Sequence, residues 1–270
     1  MLKVRVVVSV FMLCLLASCS EFSKIQKGDL NEKLEAAFRY YEKKDYYRAT
    51  ILFDEVMPLL KGRKEGEKAL FYFANCYYHQ EQYEIASYYY RDFYETFPRS
   101  EFTEEATFLY GKSLYLVSPE YNLDQTNTYE AIRAIQRFAN RYPKSGYMEE
   151  ANRIVDELNV KLEKKAYEHS KQYFNLSEFN SANYMSSVVV FDHFLKRYPN
   201  SKYAEEIAYL KVQAQFNLAK HSEHSKQRER YFEAIEFYHN FIDKYPQSKF
   251  KKDAEGIYDD AIKKLEQLNS

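Results

Sequence analysis

Four short stretches decide the fold: Phe97-Pro98-Arg99-Ser100-Glu101-Phe102, Tyr142-Pro143-Lys144-Ser145-Gly146-Tyr147, Tyr198-Pro199-Asn200-Ser201-Lys202-Tyr203 and Tyr245-Pro246-Gln247-Ser248-Lys249-Phe250. Each reads aromatic-Pro-x-Ser-x-aromatic. Proline stops a helix and pushes the residue before it out of helical dihedrals. Serine two positions later is well placed to cap the next helix. The two aromatics can then pack across the corner. Working outward, a small residue stands well before each proline, at Ala86, Ala131, Ser187 and Ala234. Four and seven residues after it come Tyr90 and Phe93, Ile135 and Phe138, Phe191 and Phe194, and Tyr238 and Phe241. Those spacings lie on one helical face, and small-then-large lets two helices approach closely at one end and interdigitate at the other. The chain is therefore a row of helix pairs.

A fifth copy precedes these, with Ala49, Phe53 and Val56 at the same intervals and Pro58 earlier than expected. In the second unit Leu70, Phe73, Ala74, Tyr77, Tyr83 and Ala86 fall where a tetratricopeptide repeat (TPR) puts its packing residues. The resemblance to TPR is close, although no Trp stands in the first helix and its small residue is Ala37, Ala74 or Gly111. The prolines stand further apart than the TPR period of about 34 residues, so the repeats carry insertions. Ser118–Thr128 and the polar run His221–Arg230 are read as loops. From Met148 to Phe174 no breaker occurs, which predicts one long helix. The run Phe250, Ala254, Ile257, Ala261, Leu265, Leu268 predicts a closing cap helix over the last apolar face. The expected class is all-α: an α-solenoid of about five TPR-like helix-turn-helix repeats with a long linking helix and a C-terminal cap helix. The expected division is 31–145 for a three-repeat N-terminal half, 146–176 for the linking helix and 177–270 for the C-terminal half with its cap.

Composition agrees. Among 270 residues there are 28 Tyr and 20 Phe but no Trp and only 6 Gly, about a third of ordinary glycine usage. So few glycines cannot furnish the tight turns and phosphate-cradling loops of β-sandwiches, Rossmann folds or P-loop enzymes. With 29% charged residues the chain is too polar for a multispanning membrane protein, and a net charge of −1 gives no basic surplus for nucleic acid.

The first residues are a separate object. Lys3 and Arg5 precede an apolar run from Val6 to Leu16, the order of a secretory signal, too short to span a bilayer. Its end, Leu16-Ala17-Ser18-Cys19, resembles the lipobox of bacterial lipoproteins. On that likeness residues 1–18 are a lipoprotein signal peptide and Cys19 is the lipidation site, bearing a covalent diacylglycerol and an N-acyl chain. No other cofactor is expected. Acyl chains at about 0.8 kcal/mol per buried CH₂ hold a protein on a membrane without a spanning helix. Residues 19–30 are polar and aperiodic and are read as a flexible tether. The mature chain keeps one further thiol, Cys76, so it has no intramolecular disulfide; Cys76 is read as a small buried helix residue.

No catalytic constellation emerges, and the chain is read as a non-enzyme. His221-x-x-His224 has metal-ligand spacing but sits in a polar run without a third ligand, so no metal site is assigned. The pairs Glu104-Glu105, Glu149-Glu150 and Glu205-Glu206 each follow a corner serine, where acids favour the positive end of a helix. The candidate site is a surface. By register with the repeat, the first-helix residues off the packing face are Asn31, Phe38 and Tyr41 in unit one, and Lys68, Phe71, Asn75, Tyr78 and His79 in unit two. Rings beside amides suit an extended peptide ending in an aromatic; sugar stacking and plain inter-repeat packing are the other readings.

Lipobox, five TPR-like units, aromatic corners and a long linking helix together make the chain resemble the D-subunit lipoproteins of the outer-membrane β-barrel assembly machine, the BamD family. That resemblance, over residues 16–270, implies a lipid-anchored, periplasm-facing scaffold on the outer membrane. It implies as partners unfolded outer-membrane proteins, a barrel-forming BamA-like subunit and other subunits of the machine. Alternatives are a TPR lipoprotein coordinating cell-wall synthesis or division, and glycan capture.

Overall fold

The computed structural model describes residues 21–177 and 180–269. The signal peptide expected over residues 1–18 and the lipidation expected at Cys19 lie outside them. Among the described residues there is no strand. The helices are α1 (Leu30–Glu42), α2 (Tyr46–Val56), α3 (Lys64–His79), α4 (Tyr83–Thr96), α5 (Thr103–Leu116) and α6 (Thr126–Arg141). They continue as α7 (Met148–Leu176), α8 (Asn183–Arg197), α9 (Ala204–Lys220), α10 (His224–Lys244) and α11 (Lys251–Asn269). Two compact units result, one running to Leu158 and the other starting at Asn159, so the boundary falls inside α7. The first unit holds the pairs α1–α2, α3–α4 and α5–α6. In the second, α8 follows the C-terminal part of α7, α9 pairs with α10, and α11 closes the row.

The small-then-large faces read from the sequence are the interior. Ala49, Phe53, Ala86, Tyr90, Ala131, Ile135, Ser187, Phe191, Ala234 and Phe241 are all buried. Gly111 shows why the first-helix position is small: a Cβ there would stand 2.6 Å from Ile135 Cδ1. In the second unit Tyr167 and Phe174 of α7 pack with Phe191, Phe194 and Ile207, so this end of α7 acts as the first helix of a repeat. Ala261 and Leu265 of α11 pack on Ala219 and Tyr231, the role of a cap.

The corners repeat almost identically. The first aromatic leaves the helix at φ −119 to −129° and ψ 59 to 62° at Phe97, Tyr142, Tyr198 and Tyr245. Its N–H still donates to the carbonyl four residues back, at 2.8–2.9 Å. The second aromatic lies flat on a ring of the preceding first helix: Phe102 on Phe71, Tyr147 on Phe108, Tyr203 on Tyr167 and Phe250 on Tyr209, with centroids 4.0–4.7 Å apart and planes within 14°. Near-parallel rings at these centroid distances are offset from one another, a stacking that ring quadrupoles favour as well as burial.

Three expectations need correction. The corner serines are not the N-caps: the N-cap position of α5 and α9 is the second aromatic, Phe102 or Tyr203. Each serine Oγ instead accepts the N–H two residues on, at 2.9–3.2 Å, which shapes the turn before the helix. The loop expected over His221–Arg230 shrinks to residues 221–223, because α10 begins at His224 and the polar run is its solvated first turns. Residues 21–29, expected in a flexible tether, are held on the fold. Phe22 meets the edge of Tyr40 at 5.7 Å, Arg48 covers Phe22 at 5.6 Å, and Gln26 donates to Glu55. Asp29 then forms a capping box with Glu32 that starts α1.

Candidate functional site

The first helices of the first two repeats, α1 and α3, carry the candidate residues, and a ring the register argument passed over joins them. Tyr72 stands between α1 and α3, meeting Tyr41 edge-on at 4.7 Å and Phe38 at 5.3 Å. Lys68 lies over both Phe38 and Tyr72, at 4.9 and 5.4 Å. Tyr41 continues to Tyr46 at 5.5 Å, and His79 stacks on Tyr46 at 4.4 Å. Tyr78 meets His79, Tyr83 and Tyr90, and Lys112 of α5 approaches its face at 5.9 Å. Phe38, Tyr41, Lys68, Tyr78 and His79 are thus brought together. Beside them, Lys68, Tyr72 and Phe102 line a depression of about 430 Å³ with Glu67 and Glu101 at its rim.

Three expected residues behave differently. Asn31 is exposed in the first turn of α1. Phe71 and Asn75 are buried, so neither presents an open surface. Phe71 is the ring on which the corner Phe102 stacks, and Asn75 Oδ1 accepts the Tyr90 hydroxyl at 2.5 Å while its side chain also hydrogen-bonds Tyr41. A buried amide bridging two phenols is a structural junction. Tyr72 was missed because it neighbours the core position Phe71, where helical spacing alone cannot separate core from rim.

Electrostatics leave Tyr41 and His79 uncharged on this face, with the charge carried by lysines. Burial pushes the Tyr41 hydroxyl up to about 12, with the Asn75 hydrogen bond pulling partly the other way. Burial, with Lys44 adding to it, lowers His79 below its ordinary value, so the imidazole is uncharged at pH 7. Lys112 is held protonated by Glu150 at 3.0 Å despite the opposing effect of burial. Cys76 lies beneath, fully buried, with its thiol pushed up to about 12 by burial, and is no thiolate at pH 7. Among the described residues no group of His, Cys, Asp and Glu could hold a metal ion. His221 instead stacks on Tyr184 at 5.7 Å, with its Nδ1 2.8 Å from the Asn217 carbonyl oxygen. What the arrangement offers is rings, phenols and one exposed lysine: a candidate face for binding rather than a reaction centre.

Fold and face together define a TPR-like helical repeat protein. The profile of the family described as Outer membrane lipoprotein (YfiO), the family of BamD, matches residues 27–182 and 173–269, and the chain belongs to that family. Two crystal structures of Podosopora anserina kinesin light chain, nearly identical TPR-like repeats, one of them a single-residue variant, align over 81% of this chain and 97% of theirs. Their identities are 14% and 13% and both TM-scores are 0.33. No curated protein matches the chain.

Proposed function

We propose that this lipoprotein is a non-enzymatic scaffold of the outer-membrane β-barrel assembly complex. It binds targeting segments of unfolded barrel proteins in its first unit and docks the barrel-forming BamA-like subunit. The lipid on Cys19 keeps it on the membrane, facing the periplasm, and confines its partners to the same plane, which raises their effective concentration. The observation that carries this reading is the unbroken run of rings from Phe38 through Tyr72, Tyr41, Tyr46 and His79. An unfolded barrel strand is amphipathic, and such a face can take its aromatic side while phenols and Lys68 meet its backbone carbonyls.

Pull-down of the tagged protein from detergent-solubilised outer membrane, with mass spectrometry, tests the partner. One large barrel protein with repeated periplasmic domains is expected. Recovery of murein enzymes or glycan transporters instead overturns the assembly role. Replacing both Tyr41 and Tyr78 with Ala is expected to weaken binding of a barrel C-terminal peptide by about tenfold or more while helical content stays intact. Unchanged affinity in that double variant removes the face from the binding site.

A further inference from the structure

The repeated corners set up a second repeated contact. At two of the four corners, the first-helix residue four after the ring that receives the corner aromatic pairs with the residue three after that aromatic. In the first unit this gives Lys112 Nζ to Glu150 at 3.0 Å, and in the second Lys171 Nζ to Glu206 at 2.8 Å. The equivalent positions at the last corner are Gln213 and Asp253, and Asp253 is exposed. The remaining pair is Asn75 and Glu105, and it has no cation. Asn75 brings no charge to Glu105, and the contacts its amide makes are with Tyr90 and Tyr41. Glu105 is nevertheless half-buried, and burial alone pushes its carboxyl above the ordinary range. It lies close enough to Tyr90 and Tyr147 to shift both hydroxyls upward. A carboxylate partly removed from water without a counter-ion is costly, and at two other corners the equivalent place is filled by a lysine.

We propose that Glu105 is the anchor for a cationic side chain, Lys or Arg, carried by the peptide that binds the first unit. The incoming ammonium or guanidinium takes the place that Lys112 and Lys171 occupy in their own pairs, with the Tyr147 side chain nearby. The inference rests on the peptide-binding reading above and adds a selection rule to it: aromatic segments with a basic residue within are preferred to those without.

The test uses the full-length lipidated protein in detergent micelles. Two fluorescent peptides of about ten residues, alternating aromatic and polar and ending in Phe, differ only in a central lysine or acetyl-lysine. The lysine peptide is expected to bind about tenfold more tightly at low salt, with the gap narrowing as salt screens it. Glu105→Gln is expected to close the gap, and Glu104→Gln to leave it. Equal binding of the two peptides to the unaltered protein overturns the proposal and leaves the aromatic face standing. A gap that survives Glu105→Gln overturns it too, and returns Glu105 to a helix N-terminal acid. Failure of both peptides to bind removes the aromatic face and this proposal with it.

Discussion

Glu81 and Lys44 sit at φ 60° and 59°, in the left-handed region, at the turns that end α3 and α1. L-residues reach this region at a cost of about 1 kcal/mol, which is why glycine usually closes helices this way. Glu81→Gly is therefore expected to stabilise the protein by about 0.5–1 kcal/mol, read as a higher urea midpoint, whereas Glu81→Ala gains nothing. A destabilised glycine variant would show that something other than the dihedral holds this turn. Asp192 supplies a second single-residue case. The hydrogen bond from Lys196, opposed by burial and joined by Lys211, holds its carboxyl below the ordinary value. A depressed carboxylate contributes stability above its unfolded pKa of about 4, and that contribution is lost as pH falls through the lower, folded value. Lys196 is largely exposed, so after screening the effect is about 1 kcal/mol. Asp192→Asn should lose about that much at pH 7 and match the unaltered protein near pH 2. A difference that persists in acid would mean the carboxylate does not carry it. Neither residue was marked in the sequence: the turns lack glycine or asparagine, and Lys211 meets Asp192 from another helix.

At the scale of the element, the corner is what the sequence revealed best, because proline, serine and two aromatics each act within a few residues of themselves. Its long-range half was hidden. Nothing local says that Tyr203 will lie on Tyr167 at 4.0 Å, or that Ser201 Oγ will donate to Glu163 at 2.6 Å, since both partners come from α7. The same limit misplaced Phe71 and Asn75, whose interior partners, Phe102 and Tyr90, lie in later elements. It also hid Tyr72, which owes its place in the aromatic run to Phe38 and Tyr41 of α1. Tyr203→Ala is expected to cost about 2–4 kcal/mol, because it empties a stacked site in which Tyr167 is already buried. Tyr203→Phe keeps the ring and should be nearly neutral. An alanine variant within about 0.5 kcal/mol of the unaltered protein in equilibrium unfolding would mean that the corner is held by its backbone hydrogen bonds alone.

For the whole molecule, the question is how a chain of amphipathic helices stays with a membrane. Among the described residues no helix is long and apolar enough to cross one. A net charge of −1 gives the full chain no basic surplus with which to hold an anionic surface, and removal of the signal would take away Lys3 and Arg5 as well. The large side chains at the repeat positions are buried between the helices, while scattered apolar residues such as Tyr47, Leu59 and Phe232 stay exposed. In the proposed reading attachment falls to the acyl chains expected on Cys19, and several chains are needed because one gives only marginal, reversible binding. Cys19→Ser should therefore move the protein from the outer-membrane fraction to the soluble periplasmic fraction, with its circular dichroism unchanged. The variant must be followed in cells and again as purified protein with vesicles. Membrane retention in cells but not on vesicles assigns the hold to a protein partner rather than to lipid. Retention on vesicles as well would mean that the folded surface itself binds lipid, against the account given by its charge and buried faces.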